Sequence, residues 1–260
     1  MSVICRKVLV AVLFTLIICP STQAAGLWLY ESGTPDLGTA GAGRAATAVD
    51  ASTAGGNPAG MTRLEGSQMT AGAQALFPQI KFDVEDKSFG GGDGGNAGYF
   101  TPAASFYYVH SLTSDFKLGV AAGSYFGLGL DYDDDWAGRY QVQDVSIIVI
   151  GAVPSVSYRV TDTLSLGASL PIMYSQLDMD VAVPNPETPV QGPDGKINLD
   201  GDDIKVAGTL SFLYEFSQRT RLGGRATSKF DFEYDGNISA ERLGEVGVDT
   251  ELTMASIVRI

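Results

Sequence analysis

The chain has 260 residues and carries 30 acidic residues against 17 basic ones, for a formal net charge of −13. Nucleic-acid binding requires a basic surface that neutralises phosphates, so this charge balance excludes that class of function. The two cysteines, Cys5 and Cys19, both lie near the amino terminus, so disulfides and thiolate metal sites are excluded from the rest of the chain.

The chain begins with the pattern of a cleaved signal peptide. Basic residues precede an apolar run at 8–19 that is too short to span a bilayer as a helix. Small residues follow, and we expect cleavage after Ala24, so that residues 1–24 are the signal peptide. Cleavage would remove two of the 17 basic residues and none of the 30 acidic ones, which leaves a net charge of −15. A lipoprotein anchor at Cys19 is the alternative, but isoleucines precede it where small residues are required.

Residues 25–66 are rich in glycine and alanine and contain few large apolar side chains. Such a segment cannot build its own core, but small residues allow its backbone to pack closely against a wall. Irregular backbone is tolerated at membrane depth only where protein or water surrounds it. Pro58 lacks an N–H group and biases Asn57 away from helix, which predicts a bend. If the strands that follow close into a barrel, we expect residues 25–66 to fold up inside its lumen; a disordered leader is the alternative.

From residue 67 onward apolar and polar residues alternate, which predicts strands with one apolar face and one polar face. The clearest case is 203–217, where every second residue from Ile204 to Phe216 is apolar apart from one glycine. The same alternation predicts two further sets that each share a face: Phe116, Leu118, Val120, Ala122, Phe126, Leu128, Leu130 and Tyr132 in one, and Leu222, Ala226, Phe230, Phe232 and Tyr234 in the other.

The predicted strands are joined by tight turns and long loops in alternation. We predict strands at 67–84, 99–111, 116–132, 142–160, 164–182, 203–217, 221–235 and 250–260. Many of these strands exceed the roughly 9–11 residues needed to cross a bilayer. Long strands joined alternately by tight turns and long loops are typical of outer-membrane barrels. Residues 67–260 are therefore predicted to form an all-β, antiparallel, transmembrane outer-membrane β-barrel with about eight strands. A large periplasmic β-sandwich is the alternative.

Residues 25–60, with the sequence AGLWLYESGTPDLGTAGAGRAATAVDASTAGGNPAG, resemble the plug of the FadL-type long-chain fatty-acid transporters of Gram-negative outer membranes (the OmpP1/FadL/TodX family). The shared features are Ala25-Gly26 before an apolar residue, Leu37-Gly38, and the triplet Asn57-Pro58-Ala59 at the family's spacing. Further similar stretches are WAGRY at 136–140, PSVSYRVTDTLSLGASL at 154–170 and RLGGRATSKFDFEYDG at 221–236.

The resemblance implies a fourteen-stranded barrel filled by an amino-terminal hatch, with a hydrophobic ligand that leaves sideways through a gap at a kinked strand. It implies a hatch and gate at Asn57, Pro58 and Ala59, and a ligand pocket at Ala25, Gly26 and Leu27, where Leu27 replaces an expected aromatic residue. It places the kinked strand at 116–132, with a ladder weakened by Gly119, Gly123, Gly127 and Gly129. The implied partners are a hydrophobic small molecule, outer-membrane lipids with lipopolysaccharide, and the barrel-assembly machinery.

A fatty-acid carboxylate requires a cationic partner in a low-dielectric interior. Arg225 and Lys229 lie on the predicted lumen-facing register, and Arg139 lies in a predicted outer loop where it would meet the ligand first. Charge balance with Asp231 and Glu233 is the alternative role for the two lumen cations.

The chain holds about eight of the family's fourteen strands and stops at Ile260 without the terminal aromatic residue of a completed barrel. We therefore expect a sequence that is truncated at its carboxyl end.

Other chemistry is poorly supported by the sequence. Residues 41–46 fit a dinucleotide-binding pattern, but no βαβ unit surrounds them. Three aspartates, Asp131, Asp133 and Asp135, have calcium-loop spacing, but Trp136 stands where glycine is required. Looser divalent binding by acidic loops that include Asp200, Asp202 and Asp203 stays open, beside a merely solvated acidic surface. The only histidine, His110, lies next to a tight turn. We predict no enzyme, no cofactor and no metal site.

The predicted function is passive outer-membrane uptake of long-chain fatty acids or related hydrophobic compounds, with an apolar pocket, hatch gating and lateral exit. The alternatives are an aromatic-hydrocarbon channel of the same architecture, a general porin, and a structural or adhesive barrel.

Overall fold

A computed structural model describes residues 34–85, 90–184, 194–240, 244–254 and 257–259. The predicted signal peptide and the predicted pocket residues Ala25, Gly26 and Leu27 lie outside these ranges. The described residues form one antiparallel sheet together with a short irregular segment that precedes it. Within the described part, no helix is long and apolar enough to cross a bilayer.

The sheet contains twelve strand segments among the described residues. They are β1 (Gln68–Leu76), β2 (Thr101–Ser111), β3 (Phe116–Asp131), β4 (Asp144–Arg159), β5 (Leu164–Ser169), β6 (Ile172–Val183), β7 (Gly195–Val206), β8 (Thr209–Ser217), β9 (Thr220–Thr227), β10 (Phe230–Ala240), β11 (Gly244–Met254) and β12 (Ile257–Arg259). The irregular segment contains one helical turn, α1 (Thr53–Gly56), and 3₁₀ helices at Pro35–Thr39 and Pro58–Arg63.

The twelve segments follow the eight predicted strands in a simple meander. Interruptions of two residues divide three of the predicted strands into two segments each, as between β5 and β6 at Leu170 and Pro171. Each half then pairs with the matching half of its neighbour: β5 pairs with β8 while β6 pairs with β7. Proline explains the first interruption because it has no N–H group to donate to the ladder.

Four predicted strand boundaries were wrong by five residues or more, one of them the end of β10, which lies at Ala240 and not at residue 235. β1 ends at Leu76 and not at residue 84, because Pro78 follows almost at once and cannot donate to a ladder. β7 begins at Gly195 and not at residue 203, and β11 begins at Gly244 and not at residue 250. The missed part of β7 has only two apolar residues, Ile197 and Leu199, so its alternation is short, and its pairing with β6 and β10 holds it in the sheet.

The two faces of the sheet have opposite chemistry over the end nearest the tight turns. One face exposes large apolar side chains: Phe106, Tyr108, Leu118, Val156, Tyr158, Leu166, Leu210, Phe212, Tyr214 and Leu222. The other face buries small polar ones: Ser105, Ser155, Ser157, Ser165, Thr209, Ser211 and Thr227. Apolar side chains on the outer face and polar ones on the inner face are typical of a barrel that is surrounded by lipid, and the sheet is called the wall below.

Two irregularities exchange the faces along a strand. The β3–β4 register shifts between Ser124 and Phe126, and beyond the shift Phe126 is buried, whereas Leu118 on the same register before it is exposed. Ser228 and Lys229 interrupt the ladder between β9 and β10 in the same way. The prediction that Phe126 shares a face with Leu118 was therefore wrong, because one extra residue inverts every side chain that follows.

The second inversion buries an aromatic row. Phe230, Phe232 and Tyr234 are buried on the inner face, while Leu222 and Ala226 of the preceding segment point outward. The prediction that all five share one face was wrong for the same reason. Successive rings of the row lie parallel with centroids 6.1 Å apart. The aromatic row thus faces the interior, where it joins the main hydrophobic cluster.

This inversion predicts the effect of removing a ring from each face. Phe232 is 0% exposed and Phe106 is 42% exposed. We expect Phe232→Ala to lower the free energy of unfolding by about 3–5 kcal/mol, because it leaves a buried cavity. The matched change Phe106→Ala should cost less, since this ring faces the outside. Urea titration in phospholipid vesicles measures both values, and equal costs would contradict the inward placement of Phe232.

Candidate functional site

The segment 34–66, here called the hatch segment, lies against the inner face of the sheet. Its 3₁₀ helix Pro58–Arg63 contacts β3, β4, β5 and β8, and α1 contacts β2, β3 and β4. Residues 56–62 are all buried. Its turns pair many of its N–H groups internally, but several of its carbonyl groups have no partner within the segment. Buried carbonyl groups need partners, and the wall supplies them.

Asn57 connects three parts of the structure. Its side-chain amide donates to Ala45 O (2.5 Å) within the hatch segment and to Phe212 O (3.0 Å) on β8. Its side-chain oxygen accepts from the N–H of Ala59 (3.1 Å), which caps the 3₁₀ helix that begins at Pro58. Asn57 has an extended backbone, as expected before proline. The triplet predicted as the hatch motif thus forms a buried junction.

Hydroxyl groups of the wall complete the polar contacts of the hatch segment. The N–H of Ala59 also donates to Ser211 Oγ (3.1 Å) on β8. Thr62 Oγ1 lies 2.7 Å from Ser165 Oγ on β5 and donates to Ala59 O (3.2 Å). Ser165 and Ser211 on the inner face therefore bind the hatch segment, which accounts for the burial of these two side chains.

Three wall glycines allow the hatch segment to lie directly on the sheet. A Cβ at Gly167 would lie 2.7 Å from Ser211 Oγ and 2.8 Å from the Pro58 carbonyl carbon. A Cβ at Gly223 would overlap the Ala45 carbonyl group, and one at Gly119 would lie 3.0 Å from Ala54 Cβ and collide with Met61. Gly119, which the resemblance implies as a kink glycine, is therefore a position of close contact.

Arginines of the wall donate to carbonyl groups of the hatch segment. Arg225 on β9 donates to Gly55 O and to Gly56 O (3.3 Å). Arg221 on β9 donates to Thr47 O (2.8 Å) and Ala46 O (3.2 Å), and Arg159 on β4 donates to Thr62 O. Each arginine thereby satisfies backbone acceptors that the short turns leave open.

One ion pair joins two turns in the first part of the hatch segment. Arg44 pairs with Asp36 and also donates to Thr34 Oγ1 (3.1 Å). Burial opposes ionisation of Asp36, but hydrogen bonds from Arg44 and Thr34 and the charge of Arg44 hold its pKa below the usual range.

Beyond the hatch segment, away from the tight turns, the inner face is apolar. Its buried side chains form one cluster with residues of the hatch segment: Ala51, Ala54, Met61, Leu64, Tyr107, Val109, Ala121, Phe126, Val149, Val153, Met173, Leu177, Ala207, Phe230, Phe232, Tyr234 and Met254. The hydroxyl of Tyr234 is satisfied by Ser175 Oγ (2.6 Å). Tyr234 therefore presents its ring to the cluster with its phenol paired.

The ladder between β2 and β3 is interrupted. It ends at the pair Ser105–Gly123, although β2 continues to pair with β1 as far as Thr101 and β3 continues to pair with β4 as far as Asp131. The next contact between the two sides is the isolated bridge Gly98–Leu130. The interruption coincides with the bulge after Gly123, and Gly127 and Gly129 border it. In the described structure β2 and β3 thus lose their mutual pairing over half a dozen residues.

The three cations predicted to meet a carboxylate already have protein partners. Arg139 pairs with Asp194 (2.7 Å) and contacts Tyr140 (2.8 Å). The hydrogen bond to Asp194 raises the pKa of Arg139, although burial opposes the rise. Lys229 pairs with Asp231 (2.8 Å), which agrees with the charge-balance alternative, and Arg225 binds the hatch segment. Contact of these residues with a ligand stays a prediction.

Acidic residues gather at the outer ends of the strands. Asp144, Asp178 and Asp180 bring their carboxylates within 4.8 Å of one another, which suits oxygen coordination of a hard cation. Lys196 already pairs with Asp180 (2.5 Å) and offsets its charge, and the Asn198 amide donates a hydrogen bond to the same carboxylate (2.8 Å). The sequence pointed instead to Asp200, Asp202 and Asp203, of which Asp203 pairs with Lys205 (3.2 Å).

The sequence analysis missed the wall residues that bind the hatch segment. Arg159, Arg221, Ser165, Ser211 and Gly167 contact it, yet none was singled out. One signal was available, since small residues recur at every second position on the inward register of β4, β5 and β8. The partner of each residue depends on packing between distant segments, which a local pattern does not encode.

The Asp36–Arg44 pair predicts a local loss of stability in Asp36→Asn. A charge-assisted hydrogen bond contributes about 1.5–3 kcal/mol, so hydrogen exchange in residues 34–47 should accelerate by on the order of tenfold at neutral pH. Because its pKa is depressed, the pair acts fully above the ordinary pKa of aspartate and is lost as the pH falls through the lowered value. Exchange mass spectrometry measures this, with the exposed-turn change Asp162→Asn as control. Equal exchange in both variants would show that the pair contributes nothing.

Comparisons with known proteins agree with the fold. A family model described as outer membrane protein transport protein (OMPP1/FadL/TodX) matches residues 15–256. The chain is 27% identical over 245 residues to the long-chain fatty acid transport protein of Escherichia coli O6:H1, covering 84% of this chain and 53% of that protein. It is 29% identical over 180 residues to outer membrane protein P1 of Haemophilus influenzae, covering 61% and 38%. The chain thus spans about half the length of the Escherichia coli relative and a smaller share of the Haemophilus influenzae one.

Solved structures of the same architecture are also similar. The chain matches a Pseudomonas aeruginosa FadL homologue with a TM-score of 0.71 and 19% identity, covering 88% of this chain and 64% of that one. It matches the Ralstonia pickettii toluene transporter TbuX with a TM-score of 0.55 and 21% identity, covering 80% and 60%. At these identities the likeness concerns the fold alone. With the family model matched over almost its whole length, the chain belongs to the OMPP1/FadL/TodX family of outer-membrane proteins.

Proposed function

We propose that this outer-membrane protein takes up long-chain fatty acids or related hydrophobic compounds by passive transport. The observation that carries the proposal is the apolar inner surface, which joins the aromatic row of β10 to Met61 and Leu64 of the hatch segment. A hydrophobic solute can bind such a surface, whereas lipopolysaccharide and a water-filled pore offer it no favourable path.

The energetics favour a long acyl chain as ligand. Each buried methylene contributes about 0.8 kcal/mol, so an acyl chain binds strongly with few polar contacts. Met61, Met173 and Met254 lie in the same cluster as the rings, and methionine side chains adapt to irregular shapes. This combination suits a flexible chain of variable length better than one rigid solute.

The proposed exit is lateral. Where β2 and β3 lose their pairing, the wall lacks hydrogen bonds between Ser105–Gly123 and the bridge Gly98–Leu130. A hydrophobic solute on the inner face would leave there into the surrounding lipid and would not have to pass the hatch segment. In this proposal Asn57, Pro58 and Ala59 hold the closed position of the hatch segment.

An aromatic-hydrocarbon channel is the second candidate. The buried aromatic row at Phe230, Phe232 and Tyr234 favours planar ligands, because rings offset-stack or pack edge to face. Competition between radiolabelled oleate and toluene for uptake distinguishes the two candidates. A general porin is disfavoured because the hatch segment occupies the inner face, and an adhesive role finds no specific support in the described residues.

The gate predicts a specific effect of Asn57→Ala. The change removes the Asn57 amide, which donates to Ala45 O on the hatch segment and to Phe212 O on the wall. The hatch segment then loosens and degrades the apolar surface that it helps to form. We expect oleate uptake to fall by about tenfold, as for loss of roughly 1–3 kcal/mol of buried hydrogen bonding. Uptake is measured in cells that express the chain and lack their own transporter.

The matched control is Asn237→Ala, which removes an exposed amide from β10. Its uptake should equal that of the unaltered chain, and heat-dependent gel mobility should show that both variants assemble a folded barrel. Wild-type uptake by assembled Asn57→Ala would count against the gate.

A further inference from the structure

Arg225 occupies the carboxyl-terminal end of α1. This helical turn ends at Gly56, and its last carbonyl groups have no partner within the turn. The Arg225 guanidinium donates to two of them, Gly55 O and Gly56 O. A cation is favoured at a helix carboxyl end because the unpaired carbonyl groups carry partial negative charge. The next residue is Asn57, so this contact lies directly before the junction described above.

The guanidinium of Arg225 is itself held in place. Its Nε donates to Thr227 Oγ1 (3.2 Å), and Thr227 Oγ1 lies 2.9 Å from Thr209 Oγ1 on β8. Both threonines are buried, at 3% and 2% exposure. A relay of two fixed hydroxyls thus orients the arginine toward α1, and the donor does not depend on a mobile side chain.

The glycines at the end of α1 match this arrangement. A Cβ at Gly55 would lie 3.1 Å from Ala121 Cβ and from the Tyr107 ring, and a Cβ at Gly56 would lie 3.0 Å from Arg44 Cγ. The turn therefore lies close to the wall at Gly55 and close to another part of the hatch segment at Gly56, and neither position has room for a larger residue. At this distance the arginine reaches two carbonyl groups with one nitrogen.

We propose that Arg225 is a positioning residue that fixes the end of α1, and through it Asn57, in the closed arrangement of the hatch segment. The proposal rests on the gating role given above and specifies how the closed arrangement is held. It assigns Arg225 to the protein's own carbonyl groups, in contrast to the carboxylate-binding role that the sequence pointed to.

The geometry distinguishes arginine from lysine at this position. A lysine keeps the charge, but its single ammonium group cannot bind Thr227 and two carbonyl groups in the fixed fork that a guanidinium provides. Arg225→Lys should therefore hold the hatch segment less well than arginine and better than Arg225→Met, which removes both the charge and the donors.

The test follows the exposure of a single thiol in the hatch segment. Cys5 and Cys19 are replaced by serine, and Thr53→Cys at the start of α1 introduces a buried thiol. In outer-membrane vesicles a water-soluble maleimide should label this thiol about tenfold faster with Arg225→Met, in line with the loss of charge-assisted hydrogen bonds. Arg225→Lys should give an intermediate rate.

Two controls separate positioning from general loosening. Arg219→Met removes an exposed cation from the turn between β8 and β9 and should leave the labelling rate unchanged. A wall thiol at Ser175→Cys, buried on β6 away from the hatch segment, should keep its rate in every Arg225 variant. Equal acceleration at Thr53→Cys and Ser175→Cys, or no acceleration at Thr53→Cys, overturns the proposal.

The readout needs no ligand, so it is independent of the uptake assay. Unchanged labelling together with oleate uptake rejects only the role of Arg225, and accelerated labelling without any uptake rejects the transport function alone. If Arg225→Met fails to give the heat-modifiable gel band of a folded barrel, Arg225→Lys carries the same test, and a rate equal to that of the unaltered arginine overturns the proposal.

Discussion

The structure depends on one constraint: the hatch segment carries more peptide hydrogen-bonding groups than its own short turns can pair. Inside a wall these groups cannot be left unpaired, because an unsatisfied buried carbonyl or N–H group costs about 1–3 kcal/mol. The wall meets this demand with hydroxyls at Ser165 and Ser211 and with guanidinium groups at Arg159, Arg221 and Arg225. The polar inner face of the sheet near the tight turns follows from this requirement.

Farther from the tight turns, the same strands line the interior with apolar side chains. The change from a polar to an apolar inner face is produced by two strand irregularities and not by a change in the alternation of the sequence. The bulge after Ser124 and the interruption at Ser228 and Lys229 each invert the side chains that follow, which brings Phe126 and Phe232 inside. One strand can then contact the hatch segment with the residues before the irregularity and form an apolar surface with the residues after it.

Period-two alternation was sufficient to predict the sheet, its meander order and most strand ends, because alternation reports the burial of a face directly. It failed at Phe126 and Phe232, since a single inserted residue carries no periodic signal. For the candidate site, Asn57-Pro58 predicted a bend, and an extended Asn57 is present. The inward register of Arg225 was predicted, but its partners Gly55 and Gly56 lie about 170 positions away and follow only from the fold.

Many hydrogen bonds from the wall to the hatch segment go to its backbone and not to its side chains. Arg225, Arg221 and Arg159 all bind carbonyl oxygens, and Ser211 binds an N–H group, so these contacts require a particular backbone path but no particular side chain. This path requires small residues where the segment meets the wall, because Gly167 and Gly223 of the wall lie in contact with the Pro58 and Ala45 carbonyl groups. Composition therefore carries much of the sequence signal of this segment, and side chains such as Asn57 and Thr62 add contacts of their own: the Asn57 amide joins Ala45 O to Phe212 O, and Thr62 contacts Ser165.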